Sequence, residues 1–342
     1  MSLNKLLILV FITLYSFGQK LTYIPDNNFE QKLIYLGYDT ELDDYVLTSS
    51  IDTISSLIIN WDNIHDLTGI QDFTALINLD CAGNNLSELD LSNNIYLEYL
   101  DCHQNNLTTL NIINNSLLSY LDTYGNDNLL HLNVSNNNQL KHLMCSYNNL
   151  SDLDVSNNTL LTYLNCSYSN NLTELDLLNN TLLTYLNCNG NLISELDIKN
   201  NNLLYYLNCS DNNLSELDVS NNTLLEYLYC NWNNLSELDV SSNVLLEWLW
   251  CKWNEELECV QVWDVDYAIN QTYSIMNENY EMVGPYFNSD AIWSLDCEDN
   301  KDKNPCIVKS INFLGQDIDS KTNTPFIDIY DNHSVEKKYV IE

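Results

Sequence analysis

The sequence has little positive charge. Twelve basic residues stand against 48 acidic ones in a chain of 342 residues, and the formal net charge is −36. A surface of this sign repels phosphate backbones and anionic lipid, which argues against nucleic acid and membrane surfaces as partners. High charge alone would favour disorder. However, 45% of the residues are hydrophobic and they recur periodically, so a large core is available.

Long apolar runs are missing after the first residues. Lys5 precedes an apolar run from Leu6 to Phe17, and the small residues Ser16 and Gly18 mark a cleavage position. A membrane helix needs about 20 apolar residues, and this run is shorter. The pattern predicts a secretory signal peptide over residues 1–18 and no membrane insertion.

Catalytic and metal motifs are also absent. The sequence has no HExxH, GxSxG, CxxC or glycine-rich phosphate loop. Its histidines are scattered between different repeats, at His65, His103, His131, His142 and His333. We therefore expect no enzyme, no catalytic residues, no metal site and no bound cofactor.

What the sequence does contain is an internal repeat, marked by cysteines 21 or 22 residues apart. Each lies in the frame LxxLxCxxNxL, as from Leu97 to Leu107, and Thr123 replaces the cysteine once. A second frame, LxxLxVxxNxL, lies between them, as from Leu150 to Leu160. The apolar and polar alternation predicts a strand with one buried face in each half of the repeat. The repeated cysteines are Cys81, Cys102, Cys145, Cys166, Cys188, Cys209, Cys230 and Cys251.

These frames resemble the bacterial leucine-rich repeats with a nested 21-residue period. The resemblance implies a right-handed leucine-rich-repeat solenoid, with parallel strands on stacked coils, over residues 76–257. Residues 19–75 resemble an internalin-like N-terminal cap, with a short helix between Ile24 and Gly37 and an opening repeat from Ile54 to Ile70. Residues 258–298 are interpreted as a C-terminal cap and residues 299–305 as a linker.

The C-terminal residues 306–342 differ in kind from the repeats. Their V-E-K-K segment from Val335 to Lys338 and the final Ile341 and Glu342 resemble the type IX secretion sorting signal of Bacteroidetes-type bacteria. The resemblance implies recognition by the type IX secretion machinery, loss of the tail, and release or attachment at the outer cell surface. The alternative is a small β-rich module without a signalling role.

The asparagines of the two frames form two columns. Because a carboxamide both donates and accepts hydrogen bonds, we expect the columns to satisfy inward-facing backbone groups. One column begins at Asn84 and ends at Asn254, with Asn170 displaced by one residue; the other runs without exception from Asn94 to Asn243.

The repeated cysteines are predicted to be a buried column of thiols that act as small hydrophobic side chains. Parallel side chains are poorly oriented for disulfides between neighbouring coils. Cys259 and Cys297 lie outside the column and form the candidate disulfide, which leaves Cys306 over.

Aromatic residues occupy an outward position three residues before the cysteine column, and tryptophans join them near the C-terminal end. We interpret the densest part as a ligand-binding face for an extracellular protein or a polysaccharide. The alternative is that the rings only stabilise the sheet. The proposed contact residues are Tyr185, Tyr206, Tyr227, Tyr229, Trp232, Trp248, Trp250 and Trp253.

Acidic residues form two further columns, one with Glu195, Glu216 and Glu237 and the other with Asp197, Asp218 and Asp239. Ca²⁺ could bridge such carboxylates. The alternative is a solvated acidic face that keeps an exported protein soluble. The sequence thus favours a secreted or surface recognition module. The alternative is a structural or adhesive component of the surface or matrix.

Overall fold

A computed structural model of the protein describes residues 19–271, 286–288, 291–294, 297, 307–312, 326–330 and 335–338. The chain divides into two compact units. The first contains residues 1–161 and 168–171, and the second contains residues 162–167 and 172–342. The expected signal peptide, the linker and Cys306 lie outside the described residues.

The first unit begins with a small cap. Strand β1 (Leu21–Tyr23) pairs antiparallel with β2 (Tyr45–Leu47). Helix α1 (Asn27–Tyr35) lies between them in sequence, and the one-turn helix α2 (Thr48–Ile51) follows. A short 3₁₀ turn covers Ile70–Asp72. The cap thus contains the predicted short helix.

Helix α1 is capped at its N-terminal end by Asp26. The Asp26 carboxylate accepts two backbone N–H groups of the first turn, at 2.8 and 3.0 Å, as an N-cap does. Phe29 and Leu33 are fully buried, but Leu36 is 36% exposed. Leu36 is the C-cap residue, because the helix ends at Tyr35.

Five three-residue strands of the first unit pair in parallel, each with its central residue buried. The register equals the repeat length, so equivalent residues of successive coils lie side by side. The strands are β3 (Ser56–Ile58), β4 (Asn78–Asp80), β5 (Tyr99–Asp101), β6 (Tyr120–Asp122) and β7 (His142–Met144).

The strands of the second unit again pair in parallel. Its strands are β8 (Tyr163–Asn165), β9 (Tyr185–Asn187), β10 (Tyr206–Asn208), β11 (Tyr227–Tyr229), β13 (Trp248–Trp250) and β15 (Tyr286–Asn288). The leucine-rich-repeat solenoid predicted from the repeats is therefore confirmed.

Three further features complete the second unit. A second parallel sheet contains β12 (Leu238–Asp239), β14 (Cys259–Gln261) and β16 (Ile292–Ser294). Helix α3 covers Val265–Gln271. The backbone of residues 307–338 contains an antiparallel sheet of β17 (Ile307–Asn312), β18 (Phe326–Tyr330) and β19 (Val335–Lys338).

The second half of each repeat departs from the prediction of a strand. Its side chains do alternate, since Leu217 and Val219 are buried and Asp218 is exposed. In the described coils, however, paired strands occur there only near the C-terminal end, in β12, β14 and β16. Here the Asp218 carboxylate accepts the Ser220 N–H at 2.9 Å and closes a local turn.

The two asparagine columns use their amides differently. Asn105 Nδ2 donates to the carbonyls of Cys81 and Cys102, both at 3.1 Å, and its Oδ1 accepts an N–H from the preceding coil at 3.0 Å. Asn222, in the other column, is fully buried and donates to Ile198 and Asn201 at 3.1 and 2.9 Å. Its Oδ1 has no partner among the described residues. The expectation that each amide both donates and accepts thus holds at Asn105 but not at Asn222.

The cysteine column is buried and reduced. All eight repeated cysteines are buried and none forms a disulfide, as predicted. Burial raises the pKa of Cys166 and of Cys209 to about 12, because a thiolate is poorly solvated in the core. In the second unit a disulfide joins Cys259 to Cys297, whose Cα atoms lie 5.9 Å apart.

Candidate binding face

Parallel pairing in the second unit stacks one tyrosine of each coil on the next. The Tyr163 and Tyr185 rings lie 4.2 Å apart with an angle of 6° between their planes, and the Tyr185 and Tyr206 rings lie 4.3 Å apart with an angle of 8°. The rings are half-buried. Burial raises the pKa of Tyr185 to about 12. These stacked tyrosines, the tyrosine spine, also cover the sheet.

The spine widens toward the C-terminal end. The Tyr206 ring lies 6.0 Å from that of Tyr227 and 5.6 Å from that of Tyr229. Tyr227 pairs with Trp248 across the sheet, and Tyr229 pairs with Trp250. Two aromatic columns therefore run side by side here, at the first and third positions of the strands.

Two tryptophans extend this surface outward. The Trp232 and Trp253 rings stack with their centroids 4.6 Å apart, and the Trp250 ring lies 6.1 Å from that of Trp253. Trp232 is 54% exposed and Trp253 is 43% exposed. We define the aromatic face as the eight predicted contact residues, from Tyr185 to Trp253. The structure brings them together, but the two stacked tryptophans are its most accessible rings among those whose exposure is described.

The exposed tryptophans occupy a special turn position, two residues after the cysteine column. The backbone there is left-handed, with φ of 57° at Trp232 and 58° at Trp253. Other coils place glycine at this position, as at Gly125 and Gly190. A left-handed backbone costs a bulky residue about 1–2 kcal/mol. The chain therefore carries large exposed rings where glycine would fit without strain, and such outliers cluster at functional sites.

Carboxylates lie beside the aromatic face. Burial, followed by Glu247 and Glu226, raises the pKa of Tyr227, so both charges act on this ring. Both glutamates are exposed. The face can thus offer flat apolar rings together with hydrogen-bond acceptors, which suits hydroxyl-bearing or mixed polar ligands.

The first unit contains a polar cluster that the sequence analysis did not single out. Asp101, His103 and Asp122 each present a potential ligand atom, and these atoms all lie within 4.8 Å of one another. Burial, followed by the charge of Asp101, raises the pKa of Asp122 to about 6, although the Tyr124 N–H acts in the opposite sense. The sequence does contain a signal for this cluster, because Asp101 and His103 are two residues apart and Asp122 follows Asp101 by 21 residues. Only the strand register shows that the three side chains lie close together.

One more exposed tryptophan lies in the first unit. Trp61 is 64% exposed and also has a left-handed backbone, with φ of 57°. A Cβ added to Gly83 of the next coil would meet the Trp61 ring at 2.3 Å, so only glycine fits beneath it. Sequence reasoning missed this residue because the left-handed turn is not visible in the leucine pattern.

The acidic columns have a local role. The Asp197 and Asp218 carboxylates each accept the N–H two residues later. Hydrogen bonds from the side chain and then the backbone of Ser220 lower the pKa of Asp218. Among the described residues, the column carboxylates form no group of three ligand atoms within 4.8 Å. Calcium binding along these columns stays a prediction.

No protein-family model matches the chain. Over 72 residues it is 38% identical to Internalin J of Listeria monocytogenes, a match that spans 21% of this chain and 8% of Internalin J. Among solved structures, the functional domain of InlJ from Listeria monocytogenes, described as including a cysteine ladder, is 33% identical with a TM-score of 0.62. That alignment covers 81% of this chain and 64% of the InlJ chain, so this chain spans less than two thirds of either relative.

Two other Listeria monocytogenes structures share the fold. Internalin C2 is 22% identical with a TM-score of 0.54, over 59% of this chain and 92% of its own. InlF is 20% identical with a TM-score of 0.51, over 80% of this chain and 91% of its own. The repeats and the fold define a leucine-rich-repeat protein, and the similarity to Internalin J supports an internalin-like relationship within that class.

Within the described part of the chain, no helix has the length and apolar character needed to cross a membrane.

Proposed function

We propose that this protein is an extracellular recognition module, not an enzyme, which binds a protein or a polysaccharide through the aromatic face of its second unit. The observation that carries the proposal is the exposed stack of Trp232 and Trp253. Exposed tryptophans with fixed positions are typical anchors of protein interfaces, and their flat faces also stack on sugar rings. Leucine-rich-repeat folds of the internalin-like kind typically bind proteins.

The preformed stacking of the tyrosine rings supports this proposal. The tyrosine spine from Tyr163 to Tyr206 is stacked at 4.2 to 4.3 Å, so the ring positions exist before a ligand arrives. A preformed face loses less conformational entropy on binding than flexible side chains do. The flanking Glu226 and Glu247 supply acceptors at the rim, which favours hydroxyl groups or positively charged side chains as ligand groups.

The proposal includes export. The N-terminal apolar run and the C-terminal V-E-K-K segment support passage by signal peptide and type IX secretion to the outer cell surface or the medium. Mass spectrometry of the protein recovered from its own cells tests this directly. We expect a mature N-terminus near Gln19 and loss of about the last 36 residues. An intact chain inside the cells would contradict export.

The alternative function is a structural or adhesive component of the surface or matrix. Affinity electrophoresis of the purified protein against algal, plant and host polysaccharides separates the two, with sedimentation velocity as a parallel measurement. Retardation by one polysaccharide would support recognition of a glycan. Saturable binding to one purified surface protein would support a protein partner. Self-association that grows with concentration, without either result, would favour the structural role.

A further inference from the structure

The buried cluster of the first unit combines two carboxylates with one imidazole. Asp101 ends β5, Asp122 ends β6, and His103 follows Asp101 by two residues. His103 Nδ1 lies 2.6 Å from Asp101 Oδ1. Within the described part of the chain, this is the one group of three or more histidine, cysteine or acidic residues whose ligand atoms all lie within 4.8 Å.

The fold by itself does not require a charge at position 122. The Asp122 carboxylate accepts the Tyr124 N–H at 2.8 Å, which fixes the turn after β6. In the second unit Asn208 occupies the equivalent strand position and accepts the Ser210 N–H at 3.1 Å. A neutral amide therefore meets the same structural need, and the negative charge of Asp122 needs a separate reason.

The Asp122 side chain is largely buried and has one hydrogen-bond donor among the described residues. The residue is 5% exposed, and among the described residues its carboxylate accepts one hydrogen bond, on Oδ1, which leaves Oδ2 without a donor. Asp80, two coils earlier, differs: it accepts the Ala82 N–H on Oδ1 at 3.2 Å and the Asn60 amide on Oδ2 at 2.7 Å. A largely buried carboxylate beside a second carboxylate is unfavourable unless a proton or a cation compensates its charge.

We propose that Asp101, His103 and Asp122 bind a divalent transition-metal ion, for which zinc is the representative probe. Imidazole nitrogen and carboxylate oxygen form a ligand set that zinc accepts, whereas calcium and magnesium prefer oxygen ligands alone. A metal ion would take the place of the proton between His103 Nδ1 and Asp101 Oδ1. Three protein ligands leave a coordination position for water or for a group of a partner.

Two aromatic rings lie beside the His103 imidazole and limit the space in which it can move. The Trp61 and Tyr124 rings each lie 6.3 Å from the His103 ring, one at 69° and the other at 57° to its plane. The cluster lies wholly within the first unit and uses none of the residues of the aromatic face. The metal site is therefore independent of the proposed recognition function, and either can fail without the other.

Titration of the chelator-treated protein with zinc chloride, followed by calorimetry and by metal content after dialysis, tests the site. The cluster variants are Asp122→Asn, which keeps an acceptor for the Tyr124 N–H, and His103→Gln. The matched control is His131→Gln, because His131 Nδ1 lies 2.7 Å from Asp152 Oδ1 in an exposed pair that lacks a third ligand. We expect one zinc ion per wild-type or control chain, and at least about a tenfold loss of affinity in both cluster variants.

Two results would overturn the proposal. One is the absence of a one-to-one zinc site. The other is equal zinc affinity in the wild type and in folded Asp122→Asn, which would indicate diffuse attraction to a chain of charge −36 or a protonated His103 that serves only as a counter-ion. Because a variant can misfold, cobalt(II) added to the wild type gives a second readout. A ligand-field absorption that differs from aqueous cobalt and persists in excess calcium supports the site, and an unchanged or calcium-suppressed spectrum contradicts it.

Discussion

The Trp232 and Trp253 rings stack 4.6 Å apart at the same left-handed turn position of successive coils. Equivalent turns elsewhere carry glycine, glutamine, tyrosine or aspartate, as at Gly190, Gln104 and Asp211. The position thus varies from coil to coil, while the strand pattern repeats and the cysteine column is interrupted only at Thr123. Variation at a constant backbone position is what a repeat protein needs to present a specific surface.

The first prediction concerns the stability of this turn. Trp232→Gly removes a ring stack worth about 0.5–1.5 kcal/mol but also relieves a left-handed backbone that costs about 1–2 kcal/mol. Because glycine also increases the conformational entropy of the unfolded chain, it lowers the free energy of unfolding by about 0.5–1 kcal/mol. We therefore expect the free energy of unfolding, measured by urea denaturation, to change by less than about 1 kcal/mol. Asp211→Gly, at the same turn position, measures the backbone contribution. A loss above about 2 kcal/mol for Trp232→Gly alone would make the stack a structural element.

The second prediction concerns the inner asparagine column. Asn222→Ala leaves the carbonyls of Ile198 and Asn201 without donors in the core, which should reduce the free energy of unfolding by about 1–3 kcal/mol. The neighbouring Asn221 is exposed, and we expect Asn221→Ala to cost less than about 0.5 kcal/mol. Equal melting curves for the two variants would show that the column does not hold the coils together.

The third prediction is a pH dependence of the tyrosine spine. Burial raises the pKa of Tyr185 to about 12 in the folded protein, whereas a free tyrosine ionises near 10. Between these values the unfolded chain loses a proton that the folded chain retains, so stability must fall as the pH rises from about 10 to about 12. Tyrosinate absorbance, measured against pH, should show one ionisation in the wild type near pH 12 that Tyr185→Phe lacks. A missing transition near 10 would mean that this ring is freely solvated.

The fourth prediction concerns the thiol column. With the pKa of Cys166 and Cys209 raised to about 12, the reactive thiolate is scarce at about pH 8, and burial blocks access as well. We expect iodoacetamide to leave the eight column cysteines unmodified in the native protein and to modify all of them in urea, as read by mass spectrometry. Rapid native alkylation at either cysteine would contradict a close-packed column.

The sequence predicted the repeating parts of the fold well. A period of 21 or 22 residues places Leu100 and Cys102 on one side of a strand, and both are fully buried. Such periodic burial leaves a signal in every coil, so the solenoid, the thiol column and the aromatic columns were all visible. The strand expected in the second half of the repeat failed at Leu217 to Val219, because alternation reports burial and not hydrogen-bond pairing.

The features that depend on backbone conformation or on register were less visible. Nothing in the leucine pattern shows that Trp61, Trp232 and Trp253 share a left-handed turn. Likewise, His103 reads as one scattered histidine until β5 and β6 align it with Asp122. Residues that depart from the repeat pattern form the candidate sites. Their roles depend on which residues lie beside them in the neighbouring coil.

The most direct test of the recognition proposal compares two tryptophan variants on one ligand. Affinity electrophoresis or calorimetry would measure the double variant Trp232→Ala with Trp253→Ala against Trp61→Ala, which removes an exposed tryptophan at the same turn position of the first unit. We predict that the double variant loses at least about tenfold in affinity, since two anchoring rings are worth more than 1.4 kcal/mol, whereas Trp61→Ala binds like the wild type. Unchanged binding by a folded double variant, or an equal loss in Trp61→Ala, would contradict the aromatic face as the contact site.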